Sequence, residues 1–124
     1  MIAELQGAVY QRLKTLLPVA VYDDVPSQAS FPYVVVGEDI VSDYSTKERF
    51  GGNVLIAVHV FSLYRGMKEV KEIAEQVLNA LKQGVEVNGV LWCYSGLDTM
   101  RFLVEDDGVR HGVVQMRFKI LTEV

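Results

Sequence analysis

Ile2, Leu5, Val9, Leu13 and Leu16 recur at steps of three and four, with Glu4, Gln11, Arg12 and Lys14 between them. That spacing predicts a helix with one apolar stripe, and Pro18, which lacks an amide hydrogen, predicts its end. "VAVYDD" (19–24) reads as a short strand, and "VPSQASFP" (25–32) as a loop with a proline near each end. "YVVVGEDIV" (33–41) and "VLIAVHVFSLY" (54–64) are β-branched and aromatic enough to be strands, with a polar arm, residues 42–53, between them. In the second of these strands both alternating sets are apolar. Val54, Ile56, Val58 and Val60 form one face, and Leu55, Ala57 and Phe61 the other. A strand covered on both faces belongs in the middle of a sheet.

Arg65 and Gly66 break the alternation. Met67, Val70, Ile73, Ala74, Val77, Leu78 and Leu81 then make a second helical stripe, and Gly84 suits its C-terminal cap. "VEVNGVLW" (85–92) places an Asn-Gly turn signal between apolar runs. A long hairpin follows. Met100, Phe102 and Val104 alternate with Thr99, Arg101 and Glu105, "DDG" turns, and Val114, Met116, Phe118 and Ile120 alternate with Gln115, Arg117 and Lys119. The order helix, strands, helix, strands predicts an α+β fold in which two helices pack on one face of an antiparallel sheet, all within a single domain spanning 1–124. Two helices cover only part of such a sheet, so the remaining apolar face calls for a neighbouring subunit.

Composition narrows the function classes. Half of the 124 residues are hydrophobic and 23% are charged, which marks a globular chain. A formal charge of −4 argues against a binder that holds nucleic acid by neutralising phosphates. Cys93 is the sole cysteine, so no intrachain disulfide is expected. "MIAELQ" has an acid where a secretory signal needs a basic patch, and no apolar run is long enough to span a bilayer; no membrane partner is expected.

Candidate chemistry is sparse. His59 lies within a strand and is expected to be a hydrogen-bonded interior residue. His111 is close in sequence to Glu105, Asp106 and Asp107, a grouping with the residue types of a metal site but without zinc spacing; solvated turn residues are the expected reading. Asp23 with Asp24, and Glu38 with Asp39, are neighbours that point to opposite faces of a strand, so neither pair serves as joint acid and base. Cys93 has no histidine near it in sequence, and Gly51 and Gly52 belong to no phosphate-cradling motif. No catalytic residue, metal site or cofactor is expected, and the chain is expected not to be an enzyme. The 42–53 arm is the better candidate for a site, an interface one. Tyr44 and Phe50 are its aromatic anchors, Lys47 and Arg49 its charged rim, and Ser45 and Thr46 lie between.

Three stretches together carry a resemblance: "VYDDVPSQASFPYVVVGE" (21–38), "VHVFSLYRGMKEVKEIAEQVLNAL" (58–81) and "EDDGVRHGVVQMRF" (105–118). In this order and spacing the chain resembles the small tail-completion proteins of long-tailed bacteriophages and prophages, the tail terminators or tail-to-head joining proteins. The likeness runs from about Val21 to Phe118; the stretch 85–95 and the arm match nothing typical. The resemblance implies an antiparallel sheet with two helices and a homo-oligomeric ring, usually a hexamer. Such a ring caps the tail-tube protein, ends tail polymerisation and meets the head connector or completion protein, with DNA only as passing cargo. It implies assembly in the host cytoplasm, a final place in the virion tail or neck, and no catalytic motif. Two rival readings stay open. One is another neck, head-completion or tail-tube component. The other is a small cytoplasmic enzyme with a subunit-interface site using His111 and Glu105.

Overall fold

The computed structural model describes residues 2–43, 49–87 and 90–123; of the residues at 43, 49, 50, 90, 91 and 120–123 it describes the backbone. Helix α1 (Ile2–Leu16) and strand β1 (Ala20–Tyr22) come first, then β2 (Tyr33–Asp43) and β3 (Arg49–Ser62). Helix α2 (Lys68–Leu81), β4 (Val85–Val87), β5 (Val90–Val104) and β6 (Arg110–Glu123) complete the chain. The six strands lie in the order β1-β2-β3-β6-β5-β4, so β3 is internal, as its doubly apolar sequence requires. The architecture is α+β, with two helices against one face of a curled sheet. One pairing departs from the antiparallel expectation: β1 runs parallel to β2, with Val21 opposite Val34. Residues 23–32 make the longer return that a parallel pair requires in place of a tight hairpin.

The helical stripes bury as their spacing predicts, with one shift. Leu5, Val9 and Leu13 are buried, but Leu16 is 53% exposed and Leu17 takes the interior place. Pro18 stops the helix at Leu16, and the last turn closes when Leu17 donates its amide to the Leu13 carbonyl. Along α2, Val70, Ile73, Ala74, Val77 and Leu81 are buried, whereas Leu78 is only partly so. Gly84 adopts φ +82° and donates to the Leu81 carbonyl, the role expected of a glycine that ends a helix. Arg12 of α1 donates its Nε to the Ala80 carbonyl, satisfying one of the unpaired carbonyls at the end of α2 and tying the two helices together.

The sheet face under the helices is continuous. Cross-strand partners share a face, and the rows Val34–Val60–Gly112, Val36–Val58–Val114 and Ile56–Met116 all point at the helices. Val34, Val54, Val58, Val60, Val114, Met116 and Phe118 are wholly buried there. Burying each of these side chains contributes about 1.5–3 kcal/mol. Gly112 is needed for closure, because a Cβ there would stand 3.1 Å from Val70 Cγ2 of α2 and 3.2 Å from Phe102 Cε1. Helix α1 packs against β1 and β4, the two edges, while α2 covers β3, β6 and β5. The sheet therefore bends around α1.

The arm is less of a loop than its polarity suggests. Ser42 and Asp43 stay in β2, and Arg49 to Asn53 stay in β3. β2 pairs with β3 out to Asp43 and Gly52, and β3 pairs with β6 out to Arg49 and Glu123. Ladder hydrogen bonds use the backbone, so polar side chains and two glycines do not interrupt them. Residues 44–48 lie outside the described residues, as does the Asn-Gly pair at 88–89, although Val87 and Val90 pair as a two-residue hairpin loop requires. At the other end of β3, the strand stops at Ser62, two residues short of the expected end. The buried Ser62 hydroxyl donates to Glu69 Oε1 (2.7 Å) and accepts the Tyr64 amide (3.1 Å), which fixes the entry to α2 and leaves Leu63 and Tyr64 exposed. Val104, expected on the apolar face, is 50% exposed at the end of β5, and Val109 is buried beyond the turn.

Candidate assembly face

On the face turned away from the helices, β3 presents Leu55, Ala57, His59 and Phe61, and β6 presents His111, Val113, Gln115 and Arg117. Ala57 and Val113 are buried beneath the longer side chains of this face, while Leu55, His59, Phe61 and His111 are half-buried. Rings line up along one end of it. Phe31 lies 5.1 Å from Tyr33, Tyr33 lies 5.3 Å from Phe61, and Phe61 stacks on His111 at 4.4 Å between centroids. Across the β5–β6 half the face is polar and mildly basic, as the hairpin alternation predicts. Arg117 forms an ion pair with Asp98, and the Thr99 hydroxyl donates to Gln115 Oε1 at 2.7 Å.

The two histidines, 52 positions apart in sequence, meet in the middle of this face. His59 Nδ1 lies 2.8 Å from His111 Nε2. The outer nitrogens reach carboxylates, His59 Nε2 to Glu38 at 2.7 Å and His111 Nδ1 to Glu105 at 2.7 Å. The result is a chain of four side chains, Glu38–His59–His111–Glu105, laid across β2, β3, β6 and the β5–β6 turn. Register places them. Phe61 pairs with His111, so His59 and His111 are diagonal neighbours on one face. A register shift between Val36 and Asp39 disturbs the β2 alternation and swings Glu38 to the His59 ring. Gly37 supplies the space, since a Cβ there would lie 2.5 Å from His59 Cδ2 and 2.8 Å from its Nε2.

The Glu38 carboxyl is held below its ordinary range, first by the hydrogen bond from His59, then by its own backbone amide and the nearby positive charge of His59 and Arg101; slight burial opposes these. His111 does bond Glu105, but its second partner is His59 and not the turn aspartates. Asp107 instead accepts the Val109 amide at 3.1 Å, as turn chemistry does. Among the described residues no group of three or more His, Cys, Asp or Glu could hold a metal ion. Each imidazole nitrogen already has a partner within the chain, and Cys93 is exposed on β5 opposite Lys119, far along the ladder from the histidines. The grouping has no nucleophile for an imidazole to activate.

Of the arm residues singled out from sequence, Tyr44, Ser45, Thr46 and Lys47 lie outside the described residues. Arg49 and Phe50 are placed by their backbones at the start of β3, opposite Glu123 and Thr122. At the base of the arm stand two residues that sequence reading passed over, Ile40 (64% exposed) and Val41 (49%). They are adjacent on a strand and so point to opposite faces, which leaves β2 uncovered on both sides there. Further exposed apolar groups, Leu63 and Tyr64, border a shallow depression of about 470 Å³ shared with Ser30, Phe31, Pro32 and Glu69. No helix among the described residues is long and apolar enough to cross a membrane.

Comparison with known proteins agrees with this architecture. The family model described as "Tail completion protein gp17" matches residues 7–121. The tail completion protein gp17 of Bacillus phage SPP1 is 28% identical over 123 residues, covering 94% of this chain and 91% of that protein. Its solved structure superposes with a TM-score of 0.62 at 26% identity, covering 97% of this chain and 92% of that one. A chain from the virion of a native gene transfer agent particle superposes with a TM-score of 0.75 at 27% identity, covering 98% of this chain and 97% of that one.

Proposed function

The chain belongs to the tail completion protein gp17 family, and from that premise we propose that it is a structural virion protein that works through protein contacts alone. In this reading it assembles as a ring, a hexamer, on the last ring of tail-tube subunits, ends tail polymerisation and offers its other surface to the head connector or completion protein. Assembly takes place in the host cytoplasm and the ring remains in the tail or neck of the particle. DNA passes through without being held, and a net charge of −4 suits a wall from which phosphate must slide.

The observation that carries the reading is the base of the arm. Ile40 and Val41 are exposed on both faces of a strand that leads into the aromatic and basic arm residues Tyr44, Lys47, Arg49 and Phe50. An isolated subunit gains nothing from such a surface, whereas an interface uses aromatic anchors and a charged rim. The test is to delete Tyr44 to Phe50 and rejoin β2 and β3 with a short turn. The deletion removes only the last β3–β6 pairs, and shortening a surface loop changes closure entropy little, so the subunit should still fold. Electron microscopy should then show no rings and tails of uncontrolled length. Tails of normal length from the variant would move the interface to the open sheet face around Leu55 and Phe61.

A further inference from the structure

We propose that the Glu38–His59–His111–Glu105 chain is a proton-binding site that holds one proton more than its four side chains carry in their ordinary neutral-pH forms. The argument is a count of hydrogens. Three contacts of 2.7, 2.8 and 2.7 Å link the four groups in line. Each is a hydrogen bond only if one hydrogen lies within it, so three are needed. Ionised carboxylates bring none, and a neutral imidazole brings one, so two histidines bring two. The third must be an added proton, wherever along the chain it rests. With it, His59 Nε2–H donates to Glu38, His111 Nδ1–H donates to Glu105, and a single N–H joins the two inner nitrogens. One imidazolium is then flanked by two carboxylates.

The surroundings favour that occupancy. Glu38 approaches from β2 and Glu105 from the end of β5, and both are acidic. Among the described residues the cation that acts on Glu38 besides His59 is Arg101 of β5. The helices lie on the opposite side of the sheet and present no charge to it. Both rings are largely shielded, with His59 and His111 side chains 18% and 16% exposed and Phe61 stacked on His111; shielding by itself disfavours a charge, and the two flanking carboxylates are what oppose it. An N···N separation of 2.8 Å suits a hydrogen between the nitrogens. Without the added proton, one of the three contacts loses its hydrogen. If it is the inner one, two lone pairs face each other and the rings must part. If it is an outer one, a carboxylate faces a lone pair and lets go. In either case β2, β3, β6 and the β5–β6 turn lose a cross-link on the open face, so proton loss loosens that face specifically.

The experiment reads the hydrogens directly. The protein has two histidines, so the imidazole region of long-range ¹H–¹⁵N correlation spectra of the labelled chain contains only these two rings. At pH 7 the expected result is three protonated ring nitrogens out of four. Glu38→Gln and Glu105→Gln each replace a half-exposed or exposed carboxylate by an amide of the same shape, and the amide can donate to a bare nitrogen. Each should lower the count from three to two at the same pH while the fold is retained, a change that a purely space-filling role would not produce. Two protonated nitrogens in the parent protein, or an unchanged count in both variants, would overturn the assignment. So would an equimolar addition of zinc that removed the inner N–H at pH 7, which would make the pair a metal seat instead.

Discussion

The two faces of β3 are built from the same strand and have opposite characters. Toward the helices, Val54, Ile56, Val58 and Val60 are at most 2% exposed. On the other face, Leu55, His59 and Phe61 are half-buried, and the neighbouring strands contribute Glu38, His111 and Arg117. The covered face is uniform, and its stability is spread over many similar valines. The open face is heterogeneous, and its order depends on a few directional contacts that one substitution can sever. A sheet with both characters can keep its fold on one side while the other changes locally.

That contrast can be broken most forcefully from the covered side. Phe118, wholly buried on β6, should lose about 3–5 kcal/mol on substitution by alanine, read from urea unfolding. A loss below about 1 kcal/mol would mean that the helical layer is not the principal core. Within α2 the same logic separates two leucines of one stripe. Leu81→Ala should cost about 2–5 kcal/mol, and Leu78→Ala clearly less, because Leu78 is only partly buried. Equal losses would place the helix at a different rotation.

On the open face the expected effects are smaller and more local. Gly37→Ala drives a Cβ into the His59 ring and toward the Ala57 carbonyl oxygen, 3.1 Å away, so about 1–3 kcal/mol should be lost, with the ring displaced from Glu38. Parent-like stability and an undisturbed His59 resonance would contradict the packing. The smallest effect belongs to pH. The carboxyl of Glu38 is lowered in the folded state, so its contribution is fully present above the ordinary carboxylate range, about 4.3, and is lost as pH falls through its lower folded value. The side chain is 69% exposed and screened, so the slope is shallow. Between pH 5 and about 3 the parent should lose slightly more stability than Glu38→Gln, and parallel curves would remove Glu38 from the account.

The covered side was readable from the sequence because burial imposes a period. Leu5, Val9, Leu13, Val70, Ile73 and Val77 announce helices, and the alternation around Phe118 announces a strand, before any partner is known. The slip from Leu16 to Leu17 is one residue at a helix end, where the period gives least information. The strand nature of 49–53 was hidden because ladder bonds are made by groups that every residue shares. The histidine chain was hidden for a different reason. His59 and His111 touch only because Phe61 pairs with His111, and that register is set by the whole sheet. The signal that could have pointed to it was Gly37, a glycine inside a β-branched run, which often marks close approach by another group.

The shortness of β1 and β4 bears on how the subunit behaves before it finds its place. Each spans three residues, so among the described residues the outer side of β2 beyond Val35 and that of β5 beyond Trp92 pair with no further strand. Long unpaired margins of this kind are templates for runaway fibril growth. Both margins are spoiled for that use. Register shifts fall between Val36 and Asp39 on β2, and at Tyr94/Gly96 and Leu97/Thr99 on β5, and Glu38, Asp39, Asp98 and Arg101 put charge beside them. A bulged, charged margin presents its amides out of step and resists docking by an identical strand. Bulged, charged margins of this kind work against amyloid-like stacking of identical chains.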